Sequence, residues 1–216
     1  MVFEFTGSRC EGYTVNFRFV IEMSDDQGRT NVTDLRTSSF EEGDGSGFQF
    51  LSQTYSNQVL TEEVKGSATR DANAMTLKLV SPNEVERTFS PPPIFPTDHL
   101  RKIIDAAVNG ERIVAQEVFD GSEDGDTVHG TTAMIGPPRT AAPTPEDAIV
   151  GEELQRWPVS VAYFDAAAVG DQTPQYSIAF DLWENGVSTD LTMDYGDFAL
   201  TGSLAEYRAL PVSSCE

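Results

Sequence analysis

Apolar and polar residues alternate with a period of two along most of this chain. Tyr13, Val15, Phe17, Phe19, Ile21 and Met23 fall on one side of that alternation, and Thr14, Asn16, Arg18 and Glu22 on the other. Successive strand side chains point to opposite faces, so the pattern predicts a long strand with one buried and one wet side. Gln27-Gly28 turns the chain into a more polar strand with Val32, Leu35 and Phe40, and Asp44-Gly45 turns it again before Phe48, Phe50 and Tyr55. Leu60 to Val64 and Met75 to Val80 read as further strands, separated by a break at Asp71-Ala72-Asn73. Near the end, Tyr176, Ile178, Phe180 and Leu182 alternate, then Val187, Thr189, Leu191, Met193 and Tyr195, with Asn185-Gly186 between them. Asn-Gly between alternating runs predicts a hairpin closed by a type I′ turn. Long twisted strands curl, so the pattern predicts a mostly β fold. We expect a large curved or rolled antiparallel sheet in a single domain over residues 1–216.

One segment departs from the β rhythm. After Pro91, Pro92 and Pro93, the run Phe95-Pro96-Thr97-Asp98-His99-Leu100 opens a short helix, with Thr97 as its predicted N-cap and Asp98 at the positive end of the dipole. Leu100, Ile103, Ile104, Ala107 and Val108 form its apolar stripe, and Asn109-Gly110 stops it. A lone helix among strands buries its stripe against a sheet, so this one is expected to be packed on or into the roll. Residues Gly136 to Gly151, rich in Pro, Ala and Thr, read as a long exposed loop.

Charge narrows the range of partners. The chain has 14 Lys+Arg against 35 Asp+Glu, a formal net charge of −21, and its lysines are Lys65, Lys78 and Lys102 alone. Such a surface offers no basic patch to phosphates, which excludes nucleic acid as a partner. The acids are scattered along the chain and read as a solvated acidic surface. No apolar run approaches the ~18 residues of a transmembrane helix, and Met1-Val2-Phe3-Glu4-Phe5 alternates like a strand and not like a signal peptide.

Candidate chemistry is sparse. The two cysteines, Cys10 and Cys215, lie at opposite ends of the chain, and only His99 and His129 could assist them in a metal site. A disulfide would pin the C-terminal tail; two unrelated buried thiols are the alternative. Asp120-Gly121-Ser122-Glu123-Asp124-Gly125-Asp126 resembles the start of a calcium loop, but Thr131 stands where the bidentate Glu is needed. Its flanks are strand-like as well, so an acidic hairpin loop accounts for the same residues. Adjacent Glu41-Glu42 and Glu62-Glu63 point to opposite strand faces and cannot share a substrate. With no nucleophile elbow and no phosphate loop, we expect no enzyme, no cofactor and no metal.

Several stretches taken together resemble the EipB-like cell-envelope integrity proteins of alphaproteobacteria. They are Gly7 to Phe19, Phe95 to Leu100, Val118 to Gly125, Asp194 to Leu200, and Leu210-Pro211 to Cys215, in order along essentially the whole chain. The resemblance implies a periplasmic antiparallel β protein, spiral-like or a broken barrel, with no established enzyme activity, a Cys10–Cys215 disulfide, and a part in maintaining the envelope. It also implies an opening strand and a signal peptide upstream of Met1, and a monomer when the chain is full length.

Two functional readings follow. The first is an adaptor that binds another periplasmic protein; the second is a carrier of a lipid or lipoprotein acyl chain in a β cavity. An open apolar edge favours the first, and an aromatic-lined cavity the second. The ligand-binding residues are not legible in the sequence.

Overall fold

The structure is a computed structural model describing residues 1–139, 150, 154–211 and 215. The chain is mostly β: the described residues form 13 strands in two open antiparallel sheets, and helix α1 runs over Pro96–Val108. It divides into two compact units: Met1–Phe95 with Phe119–Thr127 and Leu210–Glu216, and Pro96–Val118 with Val128–Ala209. Most of the segment expected to be a long loop, 140–149 and 151–153, lies outside the described residues.

The first unit holds a seven-stranded meander in sequence order. Its strands are β1 (Val2–Ser8), β2 (Gly12–Ser24), β3 (Thr30–Glu41), β4 (Gly47–Ser56), β5 (Val59–Arg70), β6 (Met75–Ser81) and β7 (Val85–Phe89). The alternation in β2 sets the register: Phe17 pairs with Phe3 on β1 and Thr37 on β3, and Phe19 with Leu35. The sheet's apolar face is closed over β4 to β6, where Phe48, Phe50, Val64, Ala68, Leu77 and Leu79 are buried. The Phe95 ring stacks 5.2 Å from Phe48, and Phe119 meets Phe50 edge-on at 5.7 Å. Gly121 and Gly125 take positive φ, and any Cβ there would strike the Phe50 ring or the Val64 side chain. The acidic Asp120–Asp126 segment is therefore a Gly-dependent cover on this core, held down by the 2.7 Å ion pair between Asp126 and Arg87.

The second unit holds a six-stranded sheet in the order β13-β12-β11-β10-β9-β8. Its strands are β8 (Ile113–Val118), β9 (His129–Ile135), β10 (Arg156–Asp165), β11 (Tyr176–Trp183), β12 (Ser188–Asp194) and β13 (Ala199–Gly202). Helix α1 begins at Pro96, so proline takes the first helical position, where its missing N–H costs nothing, and Thr97 lies inside the first turn instead of capping it. The helix ends in a Schellman motif: Gly110, at φ 76°, donates to Ala107, and Glu111 donates to Ala106. Its stripe is rotated from the expected one. Ile103, Ala106 and Ala107 are buried with Val114, Ala133, Trp157 and Leu182, Leu100 and Ile104 pack at the margin, and Val108 is 56% exposed.

The β11–β12 hairpin forms where expected, but by a different turn. Gly186 alone of the Asn-Gly pair has positive φ, Gly186 donates to Trp183, and Trp183 donates to Val187. That is a three-residue connection ending in a left-handed glycine, and the Asn185 carboxamide oxygen accepts from the Val187 N–H at 3.1 Å.

Candidate functional site: an open apolar face on the first sheet

The covered core of the first sheet continues sideways into a surface that nothing described here covers. In β2, the odd-numbered residues from Tyr13 to Met23 share the face of Phe48 and Phe50. The register shows why: Val15 pairs with Ser39, Ser39 with Phe50, Tyr13 with Glu41, and Glu41 with Phe48. β1 adds Phe3 beside Phe17 and Phe5 beside Val15. The rings are in contact: Phe5 stacks on Tyr13 at 5.5 Å, Phe3 meets Phe17 at 6.5 Å, and Phe17 lies parallel to Phe19 at 6.4 Å. Phe3 is nonetheless 61% exposed, Phe5 and Met23 are exposed, and Val15, Phe17, Phe19 and Ile21 are only half-buried. A contiguous aromatic and aliphatic surface of this kind is uncommon on a soluble protein unless something binds it.

The opposite face of the same strands is strongly polar. Asp34 accepts a two-pronged pair of hydrogen bonds from Arg18, at 2.9 and 2.8 Å, and two more from Arg36, at 3.2 and 2.7 Å. The Arg36 guanidinium also lies 4.6 Å from the Tyr55 ring centroid. Hydrogen bonds from the two arginines hold the Asp34 carboxyl well below the usual carboxylate range. This face therefore keeps its charges under all ordinary conditions, in contrast to the apolar side. The sequence reading passed over this cluster, although Arg18, Asp34 and Arg36 do alternate on the polar sides of their strands.

Among the described residues, β1 lies at the end of its sheet and pairs with β2. Its outer N–H and C=O groups, flanked by Val2, Phe3 and Phe5, form an edge to which an extended segment can add. The β1–β2 turn at the far end of this hairpin carries Cys10, which is bonded to Cys215 with their Cα atoms 5.8 Å apart. The Ser8 hydroxyl lies 3.2 Å from the Cys10 sulfur and 3.7 Å from that of Cys215.

The other residues singled out in the sequence are accounted for locally. His99 and Thr131 meet at 3.1 Å, and because Thr131 donates its own proton to the Gln116 carbonyl, His99 Nε2 must be the donor between them. His129 is buried against the Tyr163 and Tyr176 rings. Asp120 accepts the Ser122 N–H at 2.9 Å. Glu41 is buried while Glu42 is exposed, in keeping with their opposite faces. Among the described residues, no group of three or more His, Cys, Asp or Glu side chains is placed to hold a metal ion, and no helix is long and apolar enough to cross a membrane.

Comparisons with known proteins agree with this architecture. The chain is 41% identical over 208 residues to the cell envelope integrity protein EipB of Brucella abortus (strain 2308), covering 95% of this chain and 74% of that protein. A crystal structure of a beta-barrel-like protein from Brucella abortus, from a domain family of unknown function, superposes with a TM-score of 0.87. It shares 39% identity and covers 94% of this chain and 84% of its own. The family model described as EipB-like matches residues 1–211, and the chain belongs to the EipB-like family.

Proposed function

We propose that this protein is a periplasmic, non-enzymatic adaptor that supports cell-envelope integrity by docking another periplasmic protein on the open apolar face of β1 to β3. The observation that carries the reading is that face: half-exposed rings in register, backed by a permanently charged reverse side and bordered by an end strand. The envelope-integrity role named for the Brucella relative supports the physiological setting, and a disulfide between exposed cysteines suits an oxidising compartment. The first unit is built from three separate stretches of sequence, so no single cut releases it intact, which favours the whole chain acting as one domain.

A second reading rests on the same row of residues. Phe5, Val15, Ser39 and Phe50 run in line toward the covered core, a path along which an acyl chain could lie. Two measurements separate the readings. Phe3→Glu/Phe5→Glu, which alters exposed positions and leaves the folded core intact, should fail to restore detergent resistance to cells lacking the gene. Mass spectrometry of the native protein should find no bound lipid. Full complementation by the double variant contradicts docking at this face, and stoichiometric copurified lipid replaces the adaptor by a carrier.

A further inference from the structure

The open face of the first sheet changes character beyond the rings of β2. On the same side of β3 and β4 the register places Thr37 beside Phe17 and Ser52 beside Thr37, and Ser39 beside Val15. Thr54 follows Ser52 on that side and lies next to Leu35, which lies next to Phe19. All four hydroxyl residues are half-buried. Farther along, Ser56 donates its proton to the Asn31 carboxamide at 3.1 Å, and on the opposite, charged face Ser38 donates to Asn16 at 3.0 Å. The hydroxyls of Thr37, Ser39, Ser52 and Thr54 bond to no other described residue.

The same area is free of charge. From Val15 to Ile21 on this side of β2, and at the positions paired with them on β3 and β4, no side chain is ionisable, in a chain whose net charge is −21. Neither a basic segment nor a phosphate headgroup finds a counter-charge there, so what lies on it is neutral where it touches.

Neutral occupants differ in what they offer a hydroxyl. A hydroxyl covered without a partner gives up its water and gains nothing, which opposes binding. An acyl chain would cover all four in that way. So would a helix laying its apolar stripe on the rings, because its backbone groups are bonded to one another. An extended chain keeps N–H and C=O groups along its edges, and those on one edge recur every second residue, ~6.8 Å apart. Thr37 and Ser39 on β3, and Ser52 and Thr54 on β4, have the same two-residue spacing, so the repeats match when the segment runs along the strands.

We propose that the partner meets this face with an extended, uncharged segment lying along β3 and β4. One edge of its backbone bonds to the hydroxyls of Thr37, Ser39, Ser52 and Thr54, and every second side chain is apolar and packs on Phe17 and Phe19. A hydroxyl both donates and accepts, so the row takes N–H and C=O groups alike and accepts a segment running in either direction. The inference rests on the docking reading above and narrows it to a strand-like piece of a partner protein. By the same reasoning Ser39 opposes an acyl chain along the line from Phe5 through Val15 to Phe50.

Calorimetry with the disulfide-bonded chain and a short peptide alternating Val and Gln tests the proposal, with the same peptide methylated at its backbone nitrogens as the comparison. Thr37→Val/Ser52→Ala, which removes two hydroxyls at nearly constant shape, should weaken binding of the plain peptide about tenfold, or about 1.4 kcal/mol, with thermal stability unchanged. The methylated peptide should bind the wild-type chain at least tenfold more weakly, and Ser38→Ala on the opposite face should change nothing. The sign of the first result separates the occupants, because an apolar ligand binds more tightly once the hydroxyls are gone. Unchanged or tighter peptide binding by Thr37→Val/Ser52→Ala, equal binding of the methylated peptide, or no peptide binding at all overturns the inference. Monopalmitoylglycerol that binds more tightly to the same variant, with no peptide bound, overturns it in favour of a carrier. Failure of the docking reading itself shows elsewhere, as full complementation by Phe3→Glu/Phe5→Glu.

Discussion

Replacing Cys10 and Cys215 by serine gives the most direct stability test of how the chain's ends are held. The bridge spans 205 positions, and loop-closure entropy for a ring of that size amounts to about 5 kcal/mol at 25 °C. That is a ceiling, for a reason visible in the fold. Among the described residues no strand follows Gly202, so in the reduced native state the C-terminal stretch gains freedom that offsets part of the loss. We therefore expect the double serine variant to lose ~2–5 kcal/mol. Both cysteines are exposed, so a reductant reaches the bond without prior unfolding and should reproduce the effect in the wild-type protein. Urea unfolding followed by far-ultraviolet circular dichroism, oxidised against reduced, measures it. The urea dependence should steepen on reduction because the unfolded chain expands. Both tryptophans, Trp157 and Trp183, lie in the second unit, so their fluorescence reports separately on whether that unit follows the first. A midpoint and slope unchanged by reduction would refute the reasoning.

Two further outcomes test the second unit. Ile103 is 2% exposed in the helix–sheet core, so Ile103→Ala should cost about 3 kcal/mol, whereas Val108→Ala should change the denaturation midpoint little; equal effects would mean the helix faces the wrong way. Burial lowers the His99 pKa to about 4, below its ordinary 6.5, so the folded state resists a proton that the unfolded chain accepts. Stability should be unaffected above neutral pH and fall as pH drops from 6.5 towards 4, by about 2 kcal/mol at pH 5. His99→Gln, which retains an N–H for Thr131, should remove that part of the slope, and superimposable pH profiles would contradict it.

The sheet of the first unit was legible in the sequence because its strands alternate cleanly. β2 shows this best: every second residue from Tyr13 to Met23 is apolar, and the turns read at Gly28 and Gly45 are there, both glycines at positive φ. β10 was missed. Its Trp157-Pro158-Val159 opening reads as a break, since proline is rare inside a sheet. The structure tolerates Pro158 because its N–H side faces β9 just beyond the last paired residue, Ile135, where its carbonyl accepts from Gly136. The helix stripe was misjudged at its far end, where Val108 is exposed and Ala106 is buried instead, a small side chain that gives a weak periodic signal. Met1 to Phe5 could be read as a strand whose edge and apolar side lie open, but the extent of the open face could not. The openness of the β1–β3 face depends on where Phe95 and Phe119 stop covering the sheet, which no local pattern reports.

The central claim is that the apolar side of β1 to β3, and not the charged side, meets a protein partner. A photo-crosslinking phenylalanine analogue at position 17, on the apolar face, or at position 18, on the charged face, tests it in cells of the native host. The account predicts a discrete protein-sized adduct from position 17, lost when Phe3→Glu/Phe5→Glu is added, and none from position 18. Equal adducts from both faces, or a lipid-sized adduct from position 17, would contradict it.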